Sequence, residues 1–348
     1  MELPIPLTLS LILLLQTGCG LLGSDPKEPE LEPGRRDYIW EVDTLYSPPG
    51  GFVYDIWGSS PNDVWAVLGT GVNNLWHYDG SEWRVWPKRV AASFYSIYGL
   101  AQDDVWMGSS DGKIFHFDGE EWGLLYTYSP SGYINADIAD IQATSPSDVY
   151  VIGYNQPEGE SYWESFVLRN DGKGWNELFV TGSPIFLQRI RVAKNAKLIK
   201  ASKNLDDGND SLFIYQFNDS SLKEIISSTK SESRSISINN IDDYIYYYTG
   251  TNISRFNGTT FDGFLSVPEI GEVVRVDGRH EKDLFIHNWN TTYHYNGVDM
   301  MPILEKLPRN IFRAAVFENE VFFVIRDYNN GTNLIYHGTL PNEQEKRI

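Results

Sequence analysis

The chain lacks several things, and each absence excludes something. It has one cysteine in 348 residues, so no disulfide can form within it. Basic residues are outnumbered, 28 Lys and Arg against 47 Asp and Glu, for a formal net charge of −19. An acidic surface repels phosphate backbones, so no nucleic-acid partner is expected. Helical periodicity is missing too: no long run places apolar residues at i, i+3, i+4 and i+7. The apolar stretch Leu3–Leu15 is shorter than the ~20 residues that a membrane-spanning helix needs. What remains is 14% aromatic residues and 30 glycines spread along the chain. That mixture suits many short strands joined by tight turns.

The first residues read as an address. Leu3–Leu15 has the length of a signal-peptide apolar core. It runs into Leu15-Gln16-Thr17-Gly18-Cys19, which resembles a bacterial lipobox, with Gly18 before the cysteine to be lipidated. Gln16 stands where an aliphatic residue is usual, and Glu2 replaces the usual positive start. The resemblance implies a signal peptide over residues 1–18, acyl chains on Cys19 and stable anchoring by more than one chain. Residues 19–37 hold Pro26, Pro29 and Pro33 among acids and read as a solvated tether. Gly20 rather than Asp follows the cysteine; by the sorting rule of Gram-negative lipoproteins this favours the outer membrane.

Beyond residue 37 the sequence repeats. One unit runs Tyr54-Asp-Ile-Trp-Gly, then Asp63-Val-Trp-Ala-Val, Leu75-Trp-His-Tyr-Asp-Gly80 and Glu82-Trp-Arg-Val-Trp86. The next runs Tyr95-Ser-Ile-Tyr-Gly, Asp104-Val-Trp-Met, Ile114-Phe-His-Phe-Asp-Gly119 and Glu121-Trp-Gly-Leu-Leu125. Each unit holds four short apolar or alternating runs between turn residues, the pattern of a four-stranded meander with strands a to d. The turn between strands c and d recurs at Asp79, Asp118, Asp171, Asn218, Asn257, Asn296 and His337, in steps of 39, 53, 47, 39, 39 and 41 residues. Asp-Gly and Asn-Gly favour hairpins in which both central residues take positive φ. Inserts at Gln156–Ser161 and Asn204–Ser211 lengthen units three and four.

Such a sheet has two sticky faces and buries both only by stacking in a circle. The expected fold is therefore all-β: a seven-bladed β-propeller of four-stranded antiparallel blades over residues 38–340, with a polar tail over 341–348. The last unit lacks a strand d, while Tyr38–Tyr46 belongs to no unit and carries Trp40-Glu41-Val42, like Trp83-Arg84-Val85. This N-terminal strand is expected to close the last blade and remove an open sheet edge.

The repeat of Ile56, Gly58, Asp63-Val64-Trp65 and His77-Tyr78-Asp79-Gly80 with Trp83 resembles kelch/galactose-oxidase-like and WD-repeat-like bacterial propellers. Such folds host enzymes, binders and scaffolds alike. The enzyme branches fit poorly. The copper chemistry of galactose oxidase needs a Cys–Tyr cofactor, and Cys19 is already spent. Ser109-Ser110-Asp111-Gly112-Lys113 departs from the boxes of sialidase-like propellers. No catalytic residues, cofactor or metal site is expected.

Three groups of side chains are candidates for chemistry. His77, His116, His294 and His337 recur in strand c, where Arg169, Gln216 and Arg255 take the same slot; they read as a repeated polar position. Between the apolar pairs of strand a lie Asp55, Ser96, Asp140, Arg191, Ser237, Arg275 and Arg313. These form an expected axial ring in which Asp55, Asp140, Arg191, Arg275 and Arg313 pair between blades or bind a polar ligand. The b–c loops carry Tyr162, Trp163, Asp206, Asp207, Asp210 and Trp289, aromatics beside acids that suit a sugar ring. The functional expectation is a membrane-anchored, monomeric, non-catalytic module that binds a glycan, peptide or partner protein. The alternatives are a carbohydrate-active enzyme using loop carboxylates and a structural subunit of an envelope assembly.

Overall fold

A computed structural model describes residues 31–46, 51–69, 74–88, 90, 92–182, 185–193, 196–203, 210–229, 236–328 and 331–342. Seven four-stranded antiparallel sheets account for all strands described, and among the described residues the one helical element is a short 3-10 turn at Pro268–Ile270. Blade 1 consists of Val53–Ser60, Asp63–Leu68, Leu75–Tyr78 and Trp83–Val85, hydrogen-bonded in that order. Blades 2 to 6 repeat the meander, with strand a at Phe94–Ala101, Tyr133–Ser145, Ile185–Ala193, Ile236–Ile241 and Arg275–His280.

The apolar core is divided into seven clusters, and each spans one blade–blade interface. Strand b shows why. In Asp63–Leu68, Val64, Ala66 and Leu68 pack toward blade 7, while Trp65 and Val67 pack toward blade 2. Alternate side chains of a strand point to opposite faces, and here both faces are covered. That is why strand b is apolar throughout instead of alternating. Such a sheet is stable only between two neighbours, which makes the ring self-consistent.

The ring closes as the sequence predicts. Ile39–Leu45 pairs antiparallel with Thr332–Thr339, from Ile39 opposite Thr339 to Leu45 opposite Asn333, and supplies strand d of blade 7. Asn333 fastens this blade to the next, accepting the Val53 N–H at 2.8 Å and donating to the Gly51 carbonyl at 3.0 Å. Tyr38 is buried against Phe285, and Arg279 donates to its hydroxyl at 3.0 Å.

Two details of the turns differ from expectation. Of the first two residues in each of the six true c–d turns, the second alone has positive φ: Gly80, Gly119, Gly172, Asp219, Gly258 and Gly297. The first residue instead folds its side chain over the turn; Asp79 Oδ1, for example, accepts the N–H groups of Ser81 and Glu82. These are Asx-capped four-residue turns. The seventh mark, His337-Gly338, is no turn at all; it lies inside Thr332–Thr339, opposite Glu41 and Trp40. Strand d of this blade arrives from elsewhere in the chain, so no hairpin is needed. In blade 3 the extra length also lengthens strands a and b, Tyr133–Ser145 and Asp148–Pro157.

Candidate functional site: the axial channel

Strand a of every blade lines the axis, and its register identifies a tier of facing residues. Asp55, Ser96, Asp140, Arg189, Ser237, Arg275 and Arg313 occupy equivalent slots, opposite Val67, Gly108, Ile152, Lys200, Tyr248, His287 and Val324 of strand b. Blade 4 thus places Arg189 in the slot that the sequence assigns to Arg191. The same irregularity precedes this slot in blades 1 to 3, between Val53 and Asp55, Phe94 and Ser96, and Ile138 and Asp140. What differs in blade 4 is that polar Gln188 stands where Tyr54, Tyr95 and Ala139 begin the apolar pair. Arg191 still faces the channel one step lower, with Asn239 and Asp277.

These groups form a continuous polar girdle. Arg313 Nε of blade 7 bonds Asp55 of blade 1 at 3.0 Å. Arg189 of blade 4 reaches across to Asp55 at 3.8 Å and pairs with Asp140 of blade 3 at 3.2 Å. Arg191 holds the other oxygen of Asp140 at 2.9 Å and donates to Asn239 of blade 5 at 3.2 Å. Asn239 donates to Asp277 of blade 6 at 2.9 Å. Asp277 is paired with Arg275 at 2.5 Å, and Arg275 donates to the Phe312 carbonyl of blade 7 at 3.3 Å. Blade 2 joins through its backbone, the Ile97 N–H donating to Asp55 at 3.4 Å. Buried ion pairs return little net stability, but their geometry fixes how elements meet.

The electrostatics differ around the girdle. Burial pushes Asp55 up to about 6; the Asp140 carboxylate adds to this and Arg189 and Arg191 oppose it. For Asp277 burial also acts upward, but Arg275 and His287 more than reverse it and hold the carboxyl down at about 2. Two cavities occupy the axis. The lower one, about 270 Å³, is lined by Asp55, Asp140 and Asp277 together with Arg191, Arg275 and Arg313. The upper one, about 340 Å³, lies toward the start of strand a, the side that carries the d–a and b–c connections. Arg189, Arg191, Lys200, Arg275 and Arg313 line it and no carboxylate does.

The four strand-c histidines stay apart, each bonded within its own blade. Their Nε2 atoms lie 2.7 Å from Asp63, Asp104 and Asp283 and 2.6 Å from Glu320, the acids that open strand b. His77 also stacks on Trp65, and His337 on Phe322, both at 4.0 Å. Arg169 replaces the histidine in blade 3 and pairs with Asp148 at 2.7 Å. The two series are each visible in the sequence, but their cross-strand pairing is not. Among the described residues no group of His, Cys, Asp and Glu is arranged to hold a metal ion.

The loop candidates are not brought together. Trp289 is exposed in blade 6 and donates to Glu272 at 3.1 Å. Trp163 lies edge-on to Tyr154 at 6.3 Å in blade 3, beside exposed Tyr162. Asp210 precedes strand c of blade 4. None of these lines either axial cavity. Asp206, Asp207 and Cys19 lie outside the described residues. Arg189, Lys200, Asn239 and Asp277 were missed by sequence reasoning, although Asp277 follows Arg275 by two residues and so shares its face.

No family model matches the chain, and no curated protein matches it in sequence. Solved structures do resemble it. YCF48 bound to D1 peptide aligns at TM-score 0.61 and 13% identity, covering 90% of this chain and 100% of that one. The extracellular domain of the putative one-component system BT4673 from B. thetaiotaomicron aligns at 0.54 and 12%, covering 87% of this chain and 40% of that longer one. The WD40 β-propeller domain of Doa1 aligns at 0.52 and 13%, covering 88% and 99%. At such low identity the likeness is one of fold, and the chain is a seven-bladed β-propeller.

Proposed function

We propose that this chain is an exported, lipid-anchored propeller that works as a non-catalytic binding module, with its ligand seat at the upper mouth of the axial channel. The observation that carries this reading is the polarised axis: a cation-lined cavity above a tier of arginine-paired acids. A concave site with a few convergent polar groups is where ligands bind by default. Each of the acids below is already held by an arginine, which suits a structural role better than proton transfer. Among the neighbours in fold, YCF48 is bound to a peptide, which favours a peptide or partner protein over a glycan here. The anchor rests on the lipobox resemblance at Cys19. Replacing Cys19 by Ser is expected to release the protein from the membrane fraction; retention of the variant overturns the anchor.

The binding reading is tested by screening peptide and glycan arrays with the protein and with Ser237→Trp. Ser237 lines the upper cavity, and an indole there fills it. Binding that is lost in the variant, at unchanged melting temperature, supports the axial seat. Binding that survives places the site elsewhere, and Tyr162, Trp163 and Trp289 are then the next residues to change.

A further inference from the structure

We propose that the upper axial cavity is a carboxylate seat, taking an acidic side chain or the terminal carboxylate of a peptide, with Lys200 as the residue that awaits it. The inference rests on the axial reading above and adds the chemistry of the ligand.

The charges of the channel do not balance internally. Five cations line the upper cavity, while the lower one contributes the three carboxylates Asp55, Asp140 and Asp277. The arginines are accounted for: Arg313 by Asp55, Arg189 and Arg191 by Asp140, and Arg275 by Asp277. Lys200 is not. Its ammonium makes no hydrogen bond or ion pair among the described residues, although it lines the cavity. Water still reaches part of this side chain through the channel. Enough protein surrounds the ammonium to pull its pKa down to about 8, with Arg189 adding to the effect of burial.

The position makes the lysine conspicuous. Other blades place Val67, Gly108, Ile152, Tyr248, His287 and Val324 in the same strand-b slot. Packing therefore asks for no lysine there, and an unpaired buried charge is costly. An incoming carboxylate satisfies it with a charge-assisted bond.

The walls narrow the choice of anion. Ile236, Ile238, Val274 and Phe312 form the apolar part of the cavity. They suit the methylene stem and backbone of a peptide, which inorganic phosphate lacks and which a polyhydroxylated sugar acid meets poorly. A volume of about 340 Å³ admits a peptide end and no folded surface. The chain's formal charge of −19 works against an acidic ligand only at a distance. At physiological salt such fields fade over ~8 Å, so the local surplus of cations over carboxylates, with Lys200 unpaired, decides once the ligand has entered.

The test is calorimetric titration at neutral pH with hexaglutamate, trigalacturonate and inorganic phosphate, using the native protein, Lys200→Gln and Lys200→Arg. Hexaglutamate is expected to bind the native protein. Lys200→Gln weakens it about tenfold or more, Lys200→Arg restores most of the affinity, and neither variant melts below the native protein. The inference is overturned if hexaglutamate fails to bind, if it binds Lys200→Gln equally well, or if only trigalacturonate or phosphate binds. A ligand from the arrays that is lost in Ser237→Trp but indifferent to Lys200→Gln defeats the carboxylate seat and leaves the axial reading standing. A ligand indifferent to both defeats both.

Discussion

Blades 1 and 2 and blade 4 share one architecture and hold it by different means. In blades 1 and 2 an acid opens strand b and bonds the strand-c histidine, Asp63 with His77 and Asp104 with His116, each at 2.7 Å. Blade 4 has neither partner. Lys197 takes over from strand b and pairs with Asp219 of the c–d turn at 2.9 Å, so the cation and the acid have exchanged strands. Blade 4 also departs at the axis. Its inner strands carry Arg189, Arg191 and Lys200, where blade 1 carries Asp55, Trp57 and Val67. The difference teaches that the blade lock can be rebuilt from other residues, because any pair that ties strand b to strands c and d serves. The charged axial side chains have no such freedom, since they are tied to partners from other blades. The blade whose sequence strays furthest from the repeat is also the one that brings the unpaired charge. Local departures from a consistent pattern are expected to gather where function sits.

Four measurements set the axis against the blade locks. The largest effect is expected at the seam of blades 3 and 4. Asp140→Ala strands Arg189 and Arg191 in a buried channel, and losing one side of a buried pair costs about 3–5 kcal/mol. Urea unfolding reads this, and a loss no larger than that of a lock variant refutes the primacy of the axis.

Acid should act next, with opposite signs at two places. Burial raises the pKa of Asp63, but bonds from His77, Ser59 and Trp65 overcome it and leave it lowered; Asp277 is held at about 2. A lowered carboxyl contributes stability that is whole above the unfolded value of ~4 and is lost as pH falls through the folded value. For Asp277 alone this is worth about 2–3 kcal/mol. Asp55, raised to about 6, works the other way. Its contribution is whole below ~4 and is lost as pH rises toward the folded value. Melting temperature against pH should therefore fall steeply in strong acid. Asp55→Asn should flatten the segment between the unfolded and folded values of that group; an unchanged profile rejects the assignment.

The locks themselves come third. His116→Ala leaves Asp104 part-buried without its partner and should cost about 1–2 kcal/mol. Lys197→Ala breaks a more open pair and should cost under ~1 kcal/mol. Equal losses by urea unfolding would erase the contrast between the blades. The smallest effect is a gain. Lys200→Val gives blade 4 the residue that blade 1 has at Val67, removes an unpaired ammonium and should raise the melting temperature by about 1 °C. A fall in calorimetry would show that Lys200 is structurally satisfied.

Much of the fold is legible in local pattern. Period-two runs mark the strands, Asp-Gly and Asn-Gly mark the turns, and the orphan Trp40-Glu41-Val42 announces the closure that its pairing with Thr332–Thr339 completes. The site is legible in part. Asp55, Asp140, Arg275 and Arg313 fall where strand alternation puts them. Arg189 was missed because Gln188 stands where other blades carry Tyr54, Tyr95 or Ala139, so the apolar pair is read two residues late, at Ile190 and Val192. Lys200 was missed because strand b is read as core, and only the absence of a packed neighbour on the axial side makes a lysine there tolerable.

By itself, then, the sequence determined the strand periods, the turn positions, the count of repeats and the missing last strand. All of these are encoded within a few residues of one another. Which histidine meets which acid, which arginine reaches across the axis and that Lys200 is left without a partner emerge from the assembled ring. Those choices depend on register and on side chains from separate blades converging in one narrow channel, where Coulomb attraction falls with distance and a shift of a few ångströms changes the pairings.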